Sequence, residues 1–189
     1  MRFQELKPAI TILKDGGVGI MGTDTLYGIV GSAQNKKAVE RIYVLKGREE
    51  DKPFIILISR FSDLKHFGIE PDRKTRKTLR RYWPGPFSII LPAQQQSLSY
   101  LHRGKENLAF RLPKPLWLRK FLKKTGPLVA PSANPEGERP AQTIEEAKEY
   151  FSDRADFYID FGRIESAPST VMKLSEGGVE IVRGGSSVL

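Results

Sequence analysis

The chain has 189 residues, of which 39% are hydrophobic and 28% are charged, as in an ordinary water-soluble globular protein. It has no cysteine, which excludes disulfides and thiolate metal sites, and its two histidines lie far apart, which argues against a histidine zinc site. No apolar run approaches the ~20 residues that span a bilayer, and the first residues lack a signal-peptide pattern. We therefore expect a cytoplasmic protein without membrane association. The net charge of +9 predicts a phosphate-rich partner, or alternatively general surface basicity.

The first part of the chain predicts a helix over residues 6–13 and a buried strand over residues 18–21. The next segment, Gly22-Thr-Asp-Thr-Leu-Tyr-Gly28, crowds polar side chains between two glycines, which let backbone approach a ligand closely. If it stays extended, its two threonines and its tyrosine point to one face and suit a small zwitterion. Alternatively, these residues are present for their β-propensity in an edge strand.

Two cations follow the next predicted helix. Asn35 is expected to cap this helix, which ends at Leu45-Lys46-Gly47-Arg48. Cations at a helix C-terminus are favoured by the helix dipole, and this alone could explain them. Alternatively, Lys46 and Arg48 hold one polyphosphate from a short glycine-containing loop. A strand is predicted over residues 53–58.

The densest basic block lies in a helix predicted over residues 71–81, after a short helix over residues 63–67. Six of its side chains are Lys or Arg. They form either a solvated helix face or a contact for the RNA backbone.

An arginine lies near the end of one of the next two predicted strands, which cover residues 87–91 and 108–113. Between them, residues 94–107 are polar and predict a long mobile loop. Arg111 alternates with the apolar Phe110 and Leu112, so it needs an anion if it is buried.

The segment Gly126-Pro-Leu-Val-Ala-Pro-Ser-Ala-Asn134 follows a helix predicted over residues 115–124. Its apolar run predicts a strand, and Pro131 ends that strand. Ser132 and Asn134 then place a hydroxyl and an amide at the strand mouth, where α/β sheets collect ligands. Alternatively, the proline-flanked residues form only a turn.

Predicted helices and strands also alternate in the rest of the chain, so we predict one α/β domain over residues 1–189. A two-residue hairpin connection at Gly177-Gly178 requires an antiparallel pair, and the sheet is therefore mixed. The other predicted elements are a helix over 143–151 with a capping box, a strand over 157–159, a strand that Ser169 precedes, and a return strand over 179–183.

Seven segments in this order resemble the YrdC/Sua5 family, the threonylcarbamoyl-AMP synthases of tRNA modification. No single segment is specific, but the ordered set is. They are Gly22-Thr-Asp-Thr-Leu-Tyr-Gly28, Lys46-Gly-Arg48, Trp83-Pro-Gly-Pro86, Phe110-Arg-Leu-Pro113, Ser132-Ala-Asn134, Pro168-Ser-Thr-Val171 and Arg183-Gly184.

The resemblance implies a large twisted mixed sheet flanked by helices, with a basic concave cavity. It implies a nucleotidyltransferase that converts L-threonine, bicarbonate and ATP, with Mg²⁺ on the ATP, to threonylcarbamoyl-AMP and pyrophosphate. A separate threonylcarbamoyl-transferase complex would then modify the tRNA adenosine next to the anticodon.

The resemblance also implies residue roles. The family's catalytic tetrad corresponds to Lys46, Arg48, Ser132 and Asn134, and these four also belong to the ATP site. Lys52 and Arg183 complete the ATP side, and the protein itself supplies no metal ligand. The threonine side comprises Thr25, Tyr27, Arg111 and Ser169.

The chain departs from many relatives at Gly22, where they have proline, and at Leu57, where some have a histidine associated with threonine. The match also lacks the C-terminal domain of longer relatives, so we expect any lid to come from this domain, for instance from residues 94–107. Two other functions stay open. One is a non-catalytic module that binds double-stranded RNA or tRNA, and the other is a nucleotide-binding paralogue of different function.

Overall fold

The computed structural model describes residues 6–49, 51–175 and 178–185. The described residues form a single nine-stranded sheet. The strands are β1 (Val18–Gly22), β2 (Tyr27–Ser32), β3 (Ile55–Leu57), β4 (Phe87–Pro92), β5 (Asn107–Arg111), β6 (Leu128–Val129), β7 (Phe157–Ile159), β8 (Thr170–Ser175) and β9 (Gly178–Arg183).

Six α-helices and two 3₁₀ segments accompany the sheet in the described part of the chain. The helices are α1 (Lys7–Lys14), α2 (Lys36–Lys46), α3 (Arg73–Tyr82), α4 (Ser99–His102), α5 (Leu116–Thr125) and α6 (Ile144–Phe151), and the 3₁₀ segments are Phe61–Phe67 and Gln96–Leu98.

Local signals explain several helix ends. The Asn35 side chain accepts a hydrogen bond from the Ala38 N–H at 3.1 Å, which confirms the predicted cap of α2. Gly47, with φ of 58°, ends α2 in the left-handed conformation. Gly126 ends α5, as predicted.

The sheet order is β7-β1-β2-β6-β3-β5-β4-β8-β9. The pairs β1/β7, β3/β5 and β4/β8 are parallel, and the other neighbours are antiparallel. The mixed sheet is therefore confirmed. The antiparallel β8–β9 pair is present. Of the predicted two-residue turn, Gly177 lies outside the described residues, and Gly178 is the first residue of β9, where it pairs with Ser175.

Two apolar layers cover the sheet, because successive side chains along each strand point to opposite faces. One cluster joins Ile29, Ile56 and Phe110 to helices α2, α3, α4 and α6. The other joins Val30, Leu57 and related residues to α1 and α5. Helices on both faces confirm the predicted fold class, and they leave ligand space only where the layers are incomplete.

Two predictions about local structure were wrong. The segment 94–107 is not a long loop, because it contains a 3₁₀ turn and α4, with Leu98 and Leu101 in the core. The segment 22–28 is not extended, because the Thr23 N–H donates to Leu26 O at 2.9 Å and closes a turn between β1 and β2. Strand β2 itself was missed.

Among the helices of the described residues, none is long and apolar enough to cross a membrane.

Candidate functional site

A cavity of about 460 Å³ opens over the sheet face that α1 and α5 cover elsewhere. Small residues make this space. Along β2, Gly28 lines the cavity while Val30, two residues on, packs under the helices. In the same way, Ala130 lines the cavity while Leu128, two residues earlier, packs under the helices. Ala109 adds a third short side chain to the floor of the cavity.

The structure brings most of the predicted site residues to this one cavity. The cavity is lined by Thr25, Tyr27, Arg48, Arg111, Ser132, Ser169 and Arg183, which come from six different parts of the chain. Lys46, Lys52 and Asn134 are not among its lining residues. Leu57 also lies elsewhere, in the core beneath α1 and α5.

Arg111 is held by the turn between β1 and β2. One terminal nitrogen donates to Thr25 Oγ1 at 2.7 Å, and the other lies 3.1 Å from Asp24 Oδ1. Both charged side chains are buried, with 4% and 7% exposed. Burial lowers the pKa of Arg111, and the Asp24 carboxylate opposes that change. Asp24 is thus the anion that a buried arginine needs, a role that the sequence left unassigned.

Thr23 fixes the shape of this turn. Its hydroxyl donates to Leu26 O at 2.7 Å and accepts from the N–H groups of Thr25 and Leu26, each at 3.2 Å. The turn therefore holds Thr25 beside Arg111 without relying on an extended backbone.

Tyr27 is among the lining residues, but it is fully buried and packs in the core cluster on the other face of the sheet. The hydroxyl donates to Gly162 O at 2.8 Å, accepts from the Phe161 N–H at 2.8 Å, and lies 3.1 Å from Asp160 Oδ1. Burial is the main reason why its pKa rises to about 12. Tyr27 therefore anchors the segment that leads from β7 toward β8.

Lys46 organises the loop that carries Ser132 and Asn134. Its ammonium donates to Ser132 O at 2.7 Å and to Asn134 O at 2.6 Å, and only 2% of the residue is exposed. Burial and then the Arg48 charge lower the pKa of Lys46 to about 8, against the opposing influence of Glu136. The Asn134 amide in turn donates to Pro135 O and Glu138 O, each at 2.8 Å. These contacts shape the loop from beneath the cavity.

Two further guanidinium groups, those of Arg48 and Arg183, belong to residues that line the cavity. Arg48 lies over the Phe54 ring, 5.5 Å from its centroid. Arg183 donates to Ser169 O at 3.1 Å, and burial followed by the Arg48 charge lowers its pKa. The Ser169 hydroxyl lies 2.9 Å from that of Ser88, which is buried behind it. Two cations that disfavour each other across a cavity are stabilised by an anion between them.

Lys52 lies at the edge of the cavity, next to Pro53, which lines it. Its ammonium forms ion pairs with Glu49 at 2.6 Å and with Glu136 at 2.9 Å. No local sequence signal points to the Glu136 contact, because the two residues are 84 positions apart. Among the described residues, no group of three His, Cys, Asp or Glu side chains could hold a metal ion.

A model of the Sua5/YciO/YrdC family, described as "Telomere recombination", matches residues 11–185. A putative threonylcarbamoyl-AMP synthase of Methanocaldococcus jannaschii is 30% identical, covering 96% of this chain and 88% of that protein. A threonylcarbamoyl-AMP synthase of Bacillus subtilis is 35% identical, covering 74% of this chain and 40% of that protein.

Solved structures give the same picture. Pyrococcus abyssi Sua5 complexed with L-threonine has a TM-score of 0.88 and 28% identity, covering 98% of this chain and 55% of that one. Escherichia coli YciO has a TM-score of 0.85 at 22% identity, which shows the fold alone, and covers 99% and 92% of the two chains. The chain thus spans about half the length of Pyrococcus abyssi Sua5.

Proposed function

Because the chain belongs to the Sua5/YciO/YrdC family, we propose that it is an L-threonylcarbamoyladenylate synthase. This nucleotidyltransferase would make threonylcarbamoyl-AMP and pyrophosphate from L-threonine, bicarbonate and ATP. The observation that carries the proposal is that Arg48, Arg111 and Arg183 line one cavity together with Ser132 and Ser169. Such a cavity suits an anionic nucleotide beside a small amino acid, because guanidinium groups bind phosphate and carboxylate strongly.

The amino acid would bind at Arg111. Arg111 lines the cavity, and its guanidinium group is a natural partner for the threonine carboxylate. Thr25 and Ser169 offer hydroxyl groups, and Tyr27 is also among the residues that line the cavity. Threonine is the ligand named for the similar Pyrococcus abyssi structure.

The triphosphate would bind on the other side, between Arg48 and Arg183, with Lys52 at the edge. Ser132 would meet the nucleotide directly, whereas Lys46 and Asn134 would hold the loop that presents it. The role of Lys46 is then positional, because its ammonium already donates to two carbonyl groups.

The chemistry needs positioning more than covalent help. The threonine amine attacks the carbon of bicarbonate, and the loss of water gives a carbamate. A carbamate oxygen then attacks the α-phosphorus, the bond to the β-phosphate oxygen breaks, and pyrophosphate leaves with both electrons. Arg48 and Arg183 would neutralise charge on the phosphates, while Arg111 holds the threonine carboxylate in line.

Mg²⁺ would enter with the ATP and neutralise further phosphate charge. The triphosphate oxygens supply the hard oxygen donors that Mg²⁺ prefers. The product would pass to a separate threonylcarbamoyl-transferase complex that acts on the tRNA adenosine next to the anticodon.

The test is product analysis with ATP, radiolabelled bicarbonate and a panel of amino acids. We expect labelled threonylcarbamoyl-AMP and pyrophosphate only when threonine is present. Arg48→Ala should abolish turnover, and Arg111→Ala should raise the threonine requirement more than the ATP requirement. Arg76→Ala, on α3 and outside the cavity lining, is the control. Turnover with another amino acid alone, or none with any, would favour a nucleotide-binding paralogue.

A second candidate function, RNA binding, is favoured by α3. Its cations are exposed, and none of them forms an ion pair within the described part of the chain; they are Arg73, Lys74, Arg76, Lys77, Arg80 and Arg81. Their density suits the phosphates of tRNA or double-stranded RNA.

Binding of tRNA should therefore weaken steeply as salt rises. Changing Lys77, Arg80 and Arg81 to Gln should reduce the salt slope by about one for each side chain that had neutralised a phosphate. An unchanged slope would place any RNA elsewhere, and RNA binding without amino-acid-dependent turnover would favour the non-catalytic module.

A further inference from the structure

Glu136 joins the two loops that border the phosphate side of the cavity. Its N–H donates to Lys46 O at 2.7 Å, and its Oε2 accepts from the Glu49 N–H at 2.9 Å. Its other carboxylate oxygen, Oε1, accepts from the Lys52 ammonium at 2.9 Å. One side chain thus ties residues 46–52 to the loop that begins at Ser132.

Lys52 has a fixed backbone and a movable ammonium. Its carbonyl oxygen accepts from the Tyr43 hydroxyl at 3.0 Å and from Arg48 Nε at 3.3 Å. Its side chain is 45% exposed, and two carboxylates raise the pKa of its ammonium. The ammonium can therefore change partners without any movement of the main chain.

We propose that Glu136 sets the affinity of this site for the phosphate chain of a nucleotide, because it competes with that chain for Lys52. The inference rests on the proposed function, since it needs ATP in the cavity. When the phosphate chain arrives, Lys52 must leave Glu136, and the loss of this ion pair offsets part of the free energy gained from the phosphate contact. Glu136 thus weakens ATP binding, even though it also holds the loops together.

Two substitutions separate the effect of the Glu136 charge on ATP binding from the effect of Glu136 on the two loops. Glu136→Gln removes the charge but keeps a carbonyl oxygen that can accept from the Glu49 N–H. Glu136→Ala removes both the charge and this acceptor. Glu138→Gln is the matched control, because Glu138 lies in the same loop, is exposed, and has no side-chain ion pair among the described residues.

The experiment is calorimetric titration of each variant with ATP and Mg²⁺, without threonine so that no turnover occurs. Exposed ion pairs are weak, so Glu136→Gln should bind ATP only about two- to fivefold more tightly than Glu138→Gln. The gain should shrink at about 1 M salt, because screening then acts within a few ångströms. Glu136→Ala should gain less than Glu136→Gln, because its loops are no longer joined.

When Lys52 is also changed to Met, Glu136→Gln should bring no gain in ATP affinity. Equal affinities for Glu136→Gln and Glu138→Gln would overturn the inference, and so would a gain that persists without Lys52. If the wild-type protein binds no ATP, the proposed function fails and this inference fails with it. If the wild type binds ATP but the two Gln variants agree, only this inference fails.

Discussion

At the scale of single residues, the site depends on charges that the fold has buried beside one another. Arg111 and Asp24 form an ion pair with almost no exposure. Breaking a buried pair costs more than removing it entirely, because the remaining charge loses its partner but stays out of water. The conformation of the turn between β1 and β2, which carries Asp24, therefore depends on the charge of Arg111.

Asp24→Asn should lower the free energy of unfolding by about 3–5 kcal/mol, because Arg111 then remains buried without a counter-charge. The double variant Asp24→Asn with Arg111→Met should be more stable than Asp24→Asn alone. Urea denaturation measures both. Asp153→Asn, at an exposed position, is the control and should change stability by less than about 0.5 kcal/mol. A double variant less stable than Asp24→Asn would contradict this account.

Lys46 gives a prediction for pH. Burial lowers its pKa in the folded protein to about 8, below the usual 10.5. Between these values the unfolded chain binds more protons, so the contribution of Lys46 to the free energy of unfolding should rise with pH. The slope is at most about 1.4 kcal/mol per pH unit. Denaturation of the wild type and Lys46→Met from pH 7 to 10 measures the difference, and a difference that falls across this range would refute the assignment.

At the scale of elements, the cavity exists because short side chains occupy one end of a sheet face. Ala109 on β5 is paired with Ile55 and Ile90 on its two neighbouring strands, and all three line the cavity. The same face is filled under α1 and α5 by larger residues such as Leu57 and Val30. Side-chain volume along the strands thus decides where ligand space remains.

Ala109→Val should reduce this space without disturbing the sheet, because valine suits a strand. We expect weaker binding of substrate, seen as a higher KM for at least one of threonine and ATP. The melting temperature should stay close to that of the wild type. An unchanged KM for both substrates would show that ligands do not reach the floor of the cavity.

At the scale of the whole molecule, the cavity is assembled from distant parts of the chain. Arg48 follows α2, Arg111 ends β5, and Arg183 ends β9, at one edge of the sheet. A ligand that contacts all three would connect strands from the middle of the sheet to this edge. Ligand binding should therefore stabilise the fold as a unit.

ATP with Mg²⁺ at 100 times its Kd should add about 2.7 kcal/mol to the free energy of unfolding. For a chain of this size that corresponds to a rise of about 5–10 °C in Tm. Thermal denaturation measures it. Arg48→Ala should lose the rise with ATP but keep any rise with threonine. Loss of both would indicate that the variant has damaged the cavity as a whole.

The sequence by itself determined the local features of this protein. The cap at Asn35, the stop at Gly126 and the strand that ends at Arg111 depend on neighbours within a few positions, so pattern and propensity suffice. The ordered motifs also pointed to the family, which the family model confirms. Local pattern failed for residues 94–107, whose polar composition hides a short helix held by tertiary packing of Leu98 and Leu101.

Only the tertiary structure decided which charges meet. Thr25 and Arg111 are 86 positions apart, as are Lys46 and Ser132, and Glu136 reaches Lys52 across 84. No local pattern encodes such contacts, because they arise from the order of strands in the sheet. The sequence therefore showed which groups are available for chemistry. The fold determined that Lys46 shapes a loop, that Asp24 neutralises Arg111, and that Glu136 holds Lys52.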